Sequence, residues 1–191
     1  MGSPLLKRAF DRATAWHAGQ HRKYPGTKVP YASHIAAVAC TVARHGFDEE
    51  VVAAAALHDT LEDTEATYDD LVQGFGARVA DLVRDCSEPD KTLSWEARKA
   101  QYLAHFPAKP WAAQAITLAD KIDNLQSLVV CADMHGNPWE QLKRGRATQL
   151  ARFVALQRAA QSLPAHPLID EYVQAVEAAT RVDEHGVISE P

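Results

Sequence analysis

The run "VVAAAAL" (Val51–Leu57) has no polar side chain, and "HDTLED" (His58–Asp63) follows it without a break. A helix that is apolar on every side has to be enclosed by protein. Continuing it into a histidine and three carboxylates is costly, because buried charges cost several kcal/mol unless they are paired or hold a metal. The fold must therefore surround residues 51–57 and bring compensating groups to residues 58–63.

The rest of the chain supplies helices for that purpose. Residues 5–22, 33–45, 48–60, 67–73, 76–86, 94–106, 110–130, 138–162 and 166–181 show helical periodicity or strong helix formers. Breaks fall at "YPGTKVP" (24–30), "HGF" (45–47), "FPAKP" (106–110), "HGNP" (135–138) and "LPAHP" (163–167). No segment alternates with period two, and neither a repeat nor a low-complexity linker divides the 191 residues. The pattern predicts an all-α protein, with residues 1–181 as one domain and 182–191 as a flexible C-terminal tail.

Composition narrows the function. A net charge of −5 argues against a nucleic-acid partner, which usually calls for a basic excess. Cys40, Cys86 and Cys131 are odd in number and far apart, so they form neither a disulfide framework nor a zinc knuckle, and they suit a reducing compartment. No stretch reaches the ~18 apolar residues of a membrane span. The opening "MGSPLLKRAF" lacks the apolar core of a signal peptide and has Leu6 where a myristoylation signal needs Ser or Thr. A cytoplasmic protein with a small-molecule partner and no membrane partner is expected; the oligomeric state is not encoded in any pattern here.

Three pieces of sequence carry the chemistry. Positions 58 and 62, and likewise 59 and 63, are four apart, so on a continuous helix His58 and Asp59 form one tier and Glu62 and Asp63 the next. In "LADKIDNLQSL" (118–128), Leu118, Ile122, Leu125 and Val129 form an apolar stripe, while Asp120, Asn124 and Ser127 form a narrow polar one. In "PYASH" (30–34), His34 opens a helix after a proline-bearing loop. An adjacent imidazole and carboxylate, joined by a His and an Asp from other helices, would make a mixed N₂O₂ set suited to Mn²⁺, Fe²⁺ or Zn²⁺. Such an ion can supply an activated water, which suits the slowest hydrolytic reactions. A general base alone contributes ~10²–10⁴-fold, against a demand of up to ~10²¹.

The ordered set "PYASH", "LHDTLEDT" and "LADKIDNL" resembles the signatures of HD-domain hydrolases of the Rel/Spo type, above all the small stand-alone alarmone hydrolases. "AGQHRK" (18–23), "DKT" (90–92) and "WEARKAQYLAH" (95–105) add to the resemblance, which covers roughly residues 8–160. It implies an HD-domain helical bundle with a single metal site between helices. His34, His58, Asp59 and Asp120 would be ligands of one divalent metal, usually Mn²⁺, with the catalytic residues Glu62 and Asp63 beside the attacking water. Arg22 and Lys23 would border the nucleotide, Arg22 stacking on the base, and Asn124 and Ser127 would line the substrate side. Lys99, with Arg98, is a candidate phosphate contact. The implied reaction is removal of the 3′-diphosphate from guanosine tetra- or pentaphosphate, giving GDP or GTP and pyrophosphate. The chain is too short to add a synthetase domain to this one.

Two features depart from the family pattern. The loop "RKYPGTKVPY" (22–31) is unusual in length and composition, and Asp123 stands where larger Rel enzymes tend to have His. Both leave open the adenosine analogue of the alarmone, or the 2′-phosphate of NADPH, as substrate. A non-catalytic nucleotide-sensing module is the rival of another class, and it predicts damaged ligands or a missing Glu-Asp pair. Plainer readings also compete: Glu62 and Asp63 as an acidic helix end, Arg98 and Lys99 as surface groups, and Lys143, Arg144 and Arg146 as a solvated face. His17 and His21, also four apart, lack the intervening Glu of a metalloprotease pair and are assigned to packing or support of the site.

Overall fold

A computed structural model describes residues 3–88 and 92–189. Asp90 and Lys91 of the "DKT" motif, and the last two residues of the tail, lie outside the described residues. The helices are α1 (Pro4–Trp16), α2 (Ala32–Arg44), α3 (Glu49–Leu57), α4 (Thr60–Asp63), α5 (Tyr68–Phe75), α6 (Ala77–Cys86), α7 (Trp95–His105), α8 (Trp111–Met134), α9 (Gly145–Gln161) and α10 (Pro167–Thr180). Short 3₁₀ turns occupy Phe106–Ala108 and Pro138–Gln141. Among the described residues, extended pairing is confined to two isolated bridges, His21–Pro30 and Val182–Ile188. The fold class is the all-α one expected from periodicity.

The apolar run is enclosed as its composition requires. Asp48 caps α3 by accepting from the N–H groups of Glu50 and Val51, and Glu49 and Glu50 complement the positive end of the helix dipole. Every residue from Val51 to Leu57 is buried, walled in by α1, α2, α6 and α8. Alanines at 53–56 allow those neighbours to approach closely, while Leu57 and the valines each gain ~1.5–3 kcal/mol from burial.

A second principle organises the rest. Helix α8 lies between two apolar cores and serves both. Ala113, Ile116 and Ala119 belong to the core built on α1, α2, α3, α5 and α6. Ala115, Leu118, Ile122 and Leu125 belong to the core completed by α9 and α10. Its polar stripe, starting at Asp120, therefore emerges at the seam between the two cores.

The boundaries differ from the sequence expectation at four places. Helix α1 stops at Trp16 rather than running to residue 22; His17 caps it, and Gly19 takes φ +87°, a left-handed conformation that ends the helix. The helix expected over 48–60 breaks after Leu57, so His58 and Asp59 form a turn leading into α4. The helix expected over 138–162 begins only at Gly145, because Pro138 opens a 3₁₀ turn that Asn137 caps through Trp139 N–H. Helix α8 runs past residue 130 to Met134, up to the "HGNP" break.

Residues 182–189 make specific contacts. Val182 is fully buried, Trp139 Nε1 donates to Asp183 O at 2.7 Å, and Arg146 Nε donates to Val182 O at 2.7 Å. Gly186 packs so tightly on Asn137 that an added Cβ would stand 2.7 Å from its Cα.

If α3 is enclosed on all sides, Ala54→Leu should overpack it. The expected loss is ~1–3 kcal/mol of unfolding free energy, read as a lower urea midpoint. An unchanged midpoint would contradict this packing.

Candidate active site

The turn after α3 aims two neighbours at one point. His58 Nδ1 donates to Ala55 O at 2.8 Å, so its Nε2 faces away from the helix. Asp59 sits at φ −95°, ψ −2°, the sparsely populated bridge region where many active-site residues are found. Thr60 steadies the turn by donating to Leu57 O at 2.7 Å. His34 arrives from the first turn of α2, and Asp120 from the seam face of α8.

The four side chains meet there. His34 Nε2 and His58 Nε2 are 3.2 Å apart. Asp59 Oδ2 lies 3.1 Å from His58 Nε2 and 3.6 Å from His34 Nε2, and Asp120 Oδ1 lies 3.6 and 4.0 Å from His34 and His58. His34, His58 and Asp120 are buried and place one donor atom each within 4.8 Å of one another. Asp59 is the more open of the four, and its Oδ2 also accepts from the Tyr31 hydroxyl.

This set fits a divalent cation. Donors at ~2.1 Å from one ion stand ~3.0–3.4 Å apart at angles between right and tetrahedral, close to the spacings above. The His34 Nδ1 edge faces a carboxylate and the His58 Nδ1 edge a carbonyl, both acceptors, so both Nδ1 atoms carry protons and both Nε2 edges turn inward. Two such lone pairs at 3.2 Å repel unless a proton or a metal lies between them.

The electrostatics follow from the same crowding. Burial works against a charged His58, but Asp59 and Asp120 outweigh it and raise its pKa to about 9. Burial likewise resists ionisation of Asp59, yet the His58 and His34 imidazoles hold it well below the usual carboxylate range. Asp120 is also held low: Lys121 and His58 overcome its burial and the repulsion of Asp59. Glu62 goes the other way, raised by burial and by the negative charge of Asp59.

The remaining sequence-predicted residues divide between adjoining cavities. Arg22, Lys23, Asn124 and Ser127 line one cleft of about 300 Å³, with Asp63 at its edge. Glu62 and Lys99 line a smaller cavity of about 50 Å³ beside His58, Asp59 and Asp120. Arg22 Nη2 donates to Ser127 Oγ at 2.8 Å and to Asn124 Oδ1 at 3.0 Å, tying the arginine to α8. Lys99 and Arg98 both pair with the buried Glu88, whose backbone N–H donates to Glu62 Oε1 at 2.7 Å. The His17 ring packs at a tilt against Tyr31 with centroids 4.8 Å apart, and the backbone of His21 pairs with that of Pro30.

Arg152 and Glu88 went unnoticed in the sequence, and Asp123 was noticed only in part. Arg152 of α9 and Lys121 line both of these cavities and an apolar groove of about 580 Å³ between α7 and α9. Lys121 directly follows Asp120 in sequence; nothing near Arg152 in sequence marked it, since its position depends on how α9 packs. Glu88 has no motif of its own. Asp123 was noticed only as a departure, although it follows Asp120 by three and so shares its helix face. Tyr24 of the unusual loop stacks on His135 at 5.3 Å beside the nucleotide-sized cleft.

The family profile described as "HD domain" matches residues 9–142. The guanosine-3′,5′-bis(diphosphate) 3′-pyrophosphohydrolase MESH1 of Danio rerio is 41% identical over 130 residues, covering 66% of this chain and 71% of that protein. The bifunctional (p)ppGpp synthase/hydrolase SpoT of Escherichia coli K12 is 38% identical over 129 residues, 64% of this chain but 18% of that far longer one. A solved structure titled "A metazoan ortholog of SpoT hydrolyzes ppGpp and plays a role in starvation responses" superposes with a TM-score of 0.80 at 28% identity, covering 93% of this chain and 96% of that chain.

Since His58 keeps its proton up to about pH 9 in the metal-free protein, a metal has to displace that proton. Apparent Mn²⁺ affinity should therefore rise roughly tenfold per pH unit through neutrality and level off as pH passes that pKa. Titration calorimetry in buffers of different ionisation enthalpy would count the released protons. A pH-independent affinity with no proton release would contradict His58 as a donor.

Proposed function

The chain belongs to the HD-domain family, and on that premise we propose that it is a metal-dependent hydrolase that degrades the alarmones. It removes the 3′-diphosphate from guanosine tetra- or pentaphosphate, giving GDP or GTP and pyrophosphate. The observation that carries this reading is the meeting of two inward-facing imidazoles and two carboxylates at the floor of cavities rimmed by Lys99, Lys121 and Arg152.

In this reading His34, His58, Asp59 and Asp120 hold one divalent ion, Mn²⁺, for which two imidazoles and two carboxylates are a suitable set. When bound, such an ion supplies Lewis-acid chemistry, lowering the pKa of water toward neutrality and screening phosphate oxygens. Glu62 handles the proton: its raised pKa brings it toward the working pH, and the Glu88 N–H fixes its orientation. Asp63, which accepts from Gln20 Nε2 at 3.3 Å, stands between the proton-handling residue and the nucleotide cleft. Arg22, Lys23, Asn124 and Ser127 hold the nucleoside.

The ligand carboxylates, with Glu62 and Asp63, would repel a multiply charged substrate. Lys99, Lys121 and Arg152 offset that charge, and they do so in a half-buried site where ion–ion terms are strong. Burial pushes the Lys99 and Arg152 pKa values down, so an incoming phosphate relieves a cost they already bear. Residues 1–181 act as one catalytic domain, in the cytoplasm, with a small nucleotide as partner and no role for nucleic acid or membrane. Among the described residues no helix is long and apolar enough to cross a membrane.

Hydrolysis in ¹⁸O-water tests the bond that is cut. Guanosine tetraphosphate with Mn²⁺ should yield intact pyrophosphate carrying the label and an unlabelled nucleotide. Glu62→Gln should keep its metal and lose on the order of 10²-fold or more in kcat. Stepwise release of orthophosphate, label in the nucleotide, or full turnover by metal-free protein would each overturn the reading. Parallel reactions with the adenosine analogue and with NADPH rank the substrates, and preferential turnover of either would displace the guanosine assignment.

A further inference from the structure

Asp123 is placed to act on the metal centre without belonging to it. Its Oδ2 accepts from His34 Nδ1 at 2.6 Å, with the two side chains only 14% and 1% exposed. The same oxygen accepts from Arg22 Nη2 at 3.0 Å. Nδ1 and Nε2 lie on opposite edges of an imidazole, so Asp123 stands behind His34 and cannot share an ion with His34 Nε2.

We infer that Asp123 is a positioning residue that sets the metal affinity of this site. The Asp123 carboxylate oxygen is the acceptor of this contact, so the shared hydrogen sits on His34 Nδ1. That leaves Nε2 with a lone pair aimed at His58, Asp59 and Asp120. The 2.6 Å contact behind the ring also fixes the ring plane, as carboxylates behind metal-bound histidines do. Without that acceptor the proton is free to move to Nε2, where it would close the site to metal.

Arg22 gives the same carboxylate a second task. Its guanidinium lines the nucleotide cleft while it donates to Asp123, Asn124 and Ser127. Asn124 in turn donates to Asp120 Oδ1. Two of the four donors, His34 and Asp120, are thus held by residues that also hold the nucleotide-side arginine, so the cleft and the metal site share one set of hydrogen bonds.

This inference rests on His34 being a metal ligand, and the test separates the two. Wild type, Asp123→Asn, Asp123→Glu and the exposed-site control Asp133→Asn are stripped of metal and titrated with Mn²⁺ alone, free Mn²⁺ being read by electron paramagnetic resonance. Asp123→Asn keeps size and shape but lets the amide rotate to donate to Nδ1. Its Kd should rise by roughly 10–100-fold, with the thermal midpoint of the metal-free protein little changed. Asp123→Glu, which keeps the charge, should recover part of that loss, and Asp133→Asn should match wild type. A Kd within twofold of wild type in Asp123→Asn overturns the role of Asp123 while leaving the metal site standing. Equal losses in Asp123→Asn and Asp133→Asn would also overturn it, since net charge alone would then explain the effect. If Asp123→Asn unfolds, Asp123→Glu decides: an affinity below wild type with unchanged fold supports positioning, and an unchanged affinity opposes it. A wild type that binds no Mn²⁺ overturns both this inference and the function it rests on.

Discussion

Two imidazole nitrogens 3.2 Å apart, each with its proton turned away, are the constraint on which the rest of this molecule depends. Such a pair is unfavourable in a dry interior unless a proton or a metal ion lies between them. The two aspartates beside them are equally unfavourable unless something positive offsets them. Removing one partner from a buried charge cluster of this kind costs ~3–5 kcal/mol. The fold accordingly brings all four groups together and surrounds them with aligning contacts.

Helix α8 does most of that work. By packing into two cores at once, it fixes its own rotation closely, which places Asp120 at the ligand cluster, Asp123 behind His34, and Asn124 and Ser127 against Arg22. A register slip in α8 would move all of these together. The apolar helix α3 plays the complementary part: being enclosed, it cannot move, and the turn at its end inherits that rigidity. Local features then set the chemistry. Glu62 and Asp59 are carboxylates only three residues apart, yet burial beside a negative neighbour raises one pKa while two imidazoles hold the other down.

Much of this was legible in the sequence, for identifiable reasons. Helical periodicity and the placement of Gly and Pro gave the fold class, and residues 51–57 read as buried because no polar side chain interrupts them. His58 and Asp59 stood out because they follow an apolar run, the family resemblance added His34 and Asp120, and the structure brings the four to one point. The misses concern partners that only packing reveals. Arg152 reaches the site because of how α9 packs on α10 and against α7, and Glu88 matters through what Arg98, Lys99 and Glu62 do around it. The tier model of a continuous helix through residue 60 failed because His58 must turn its Nε2 outward, which the break after Leu57 allows. Asp123 was visible as a departure, but its role needed the 2.6 Å contact to His34 Nδ1.

The central claim is that His34, His58, Asp59 and Asp120 enclose a single divalent ion, and a crystal of Mn²⁺-loaded protein measured at the manganese absorption edge addresses it most directly. The account predicts one strong anomalous peak within coordination distance of His34 Nε2, His58 Nε2 and a carboxylate oxygen from each aspartate. A peak elsewhere, such as beside His17 and His21, or no peak at all in protein saturated with Mn²⁺, would contradict it.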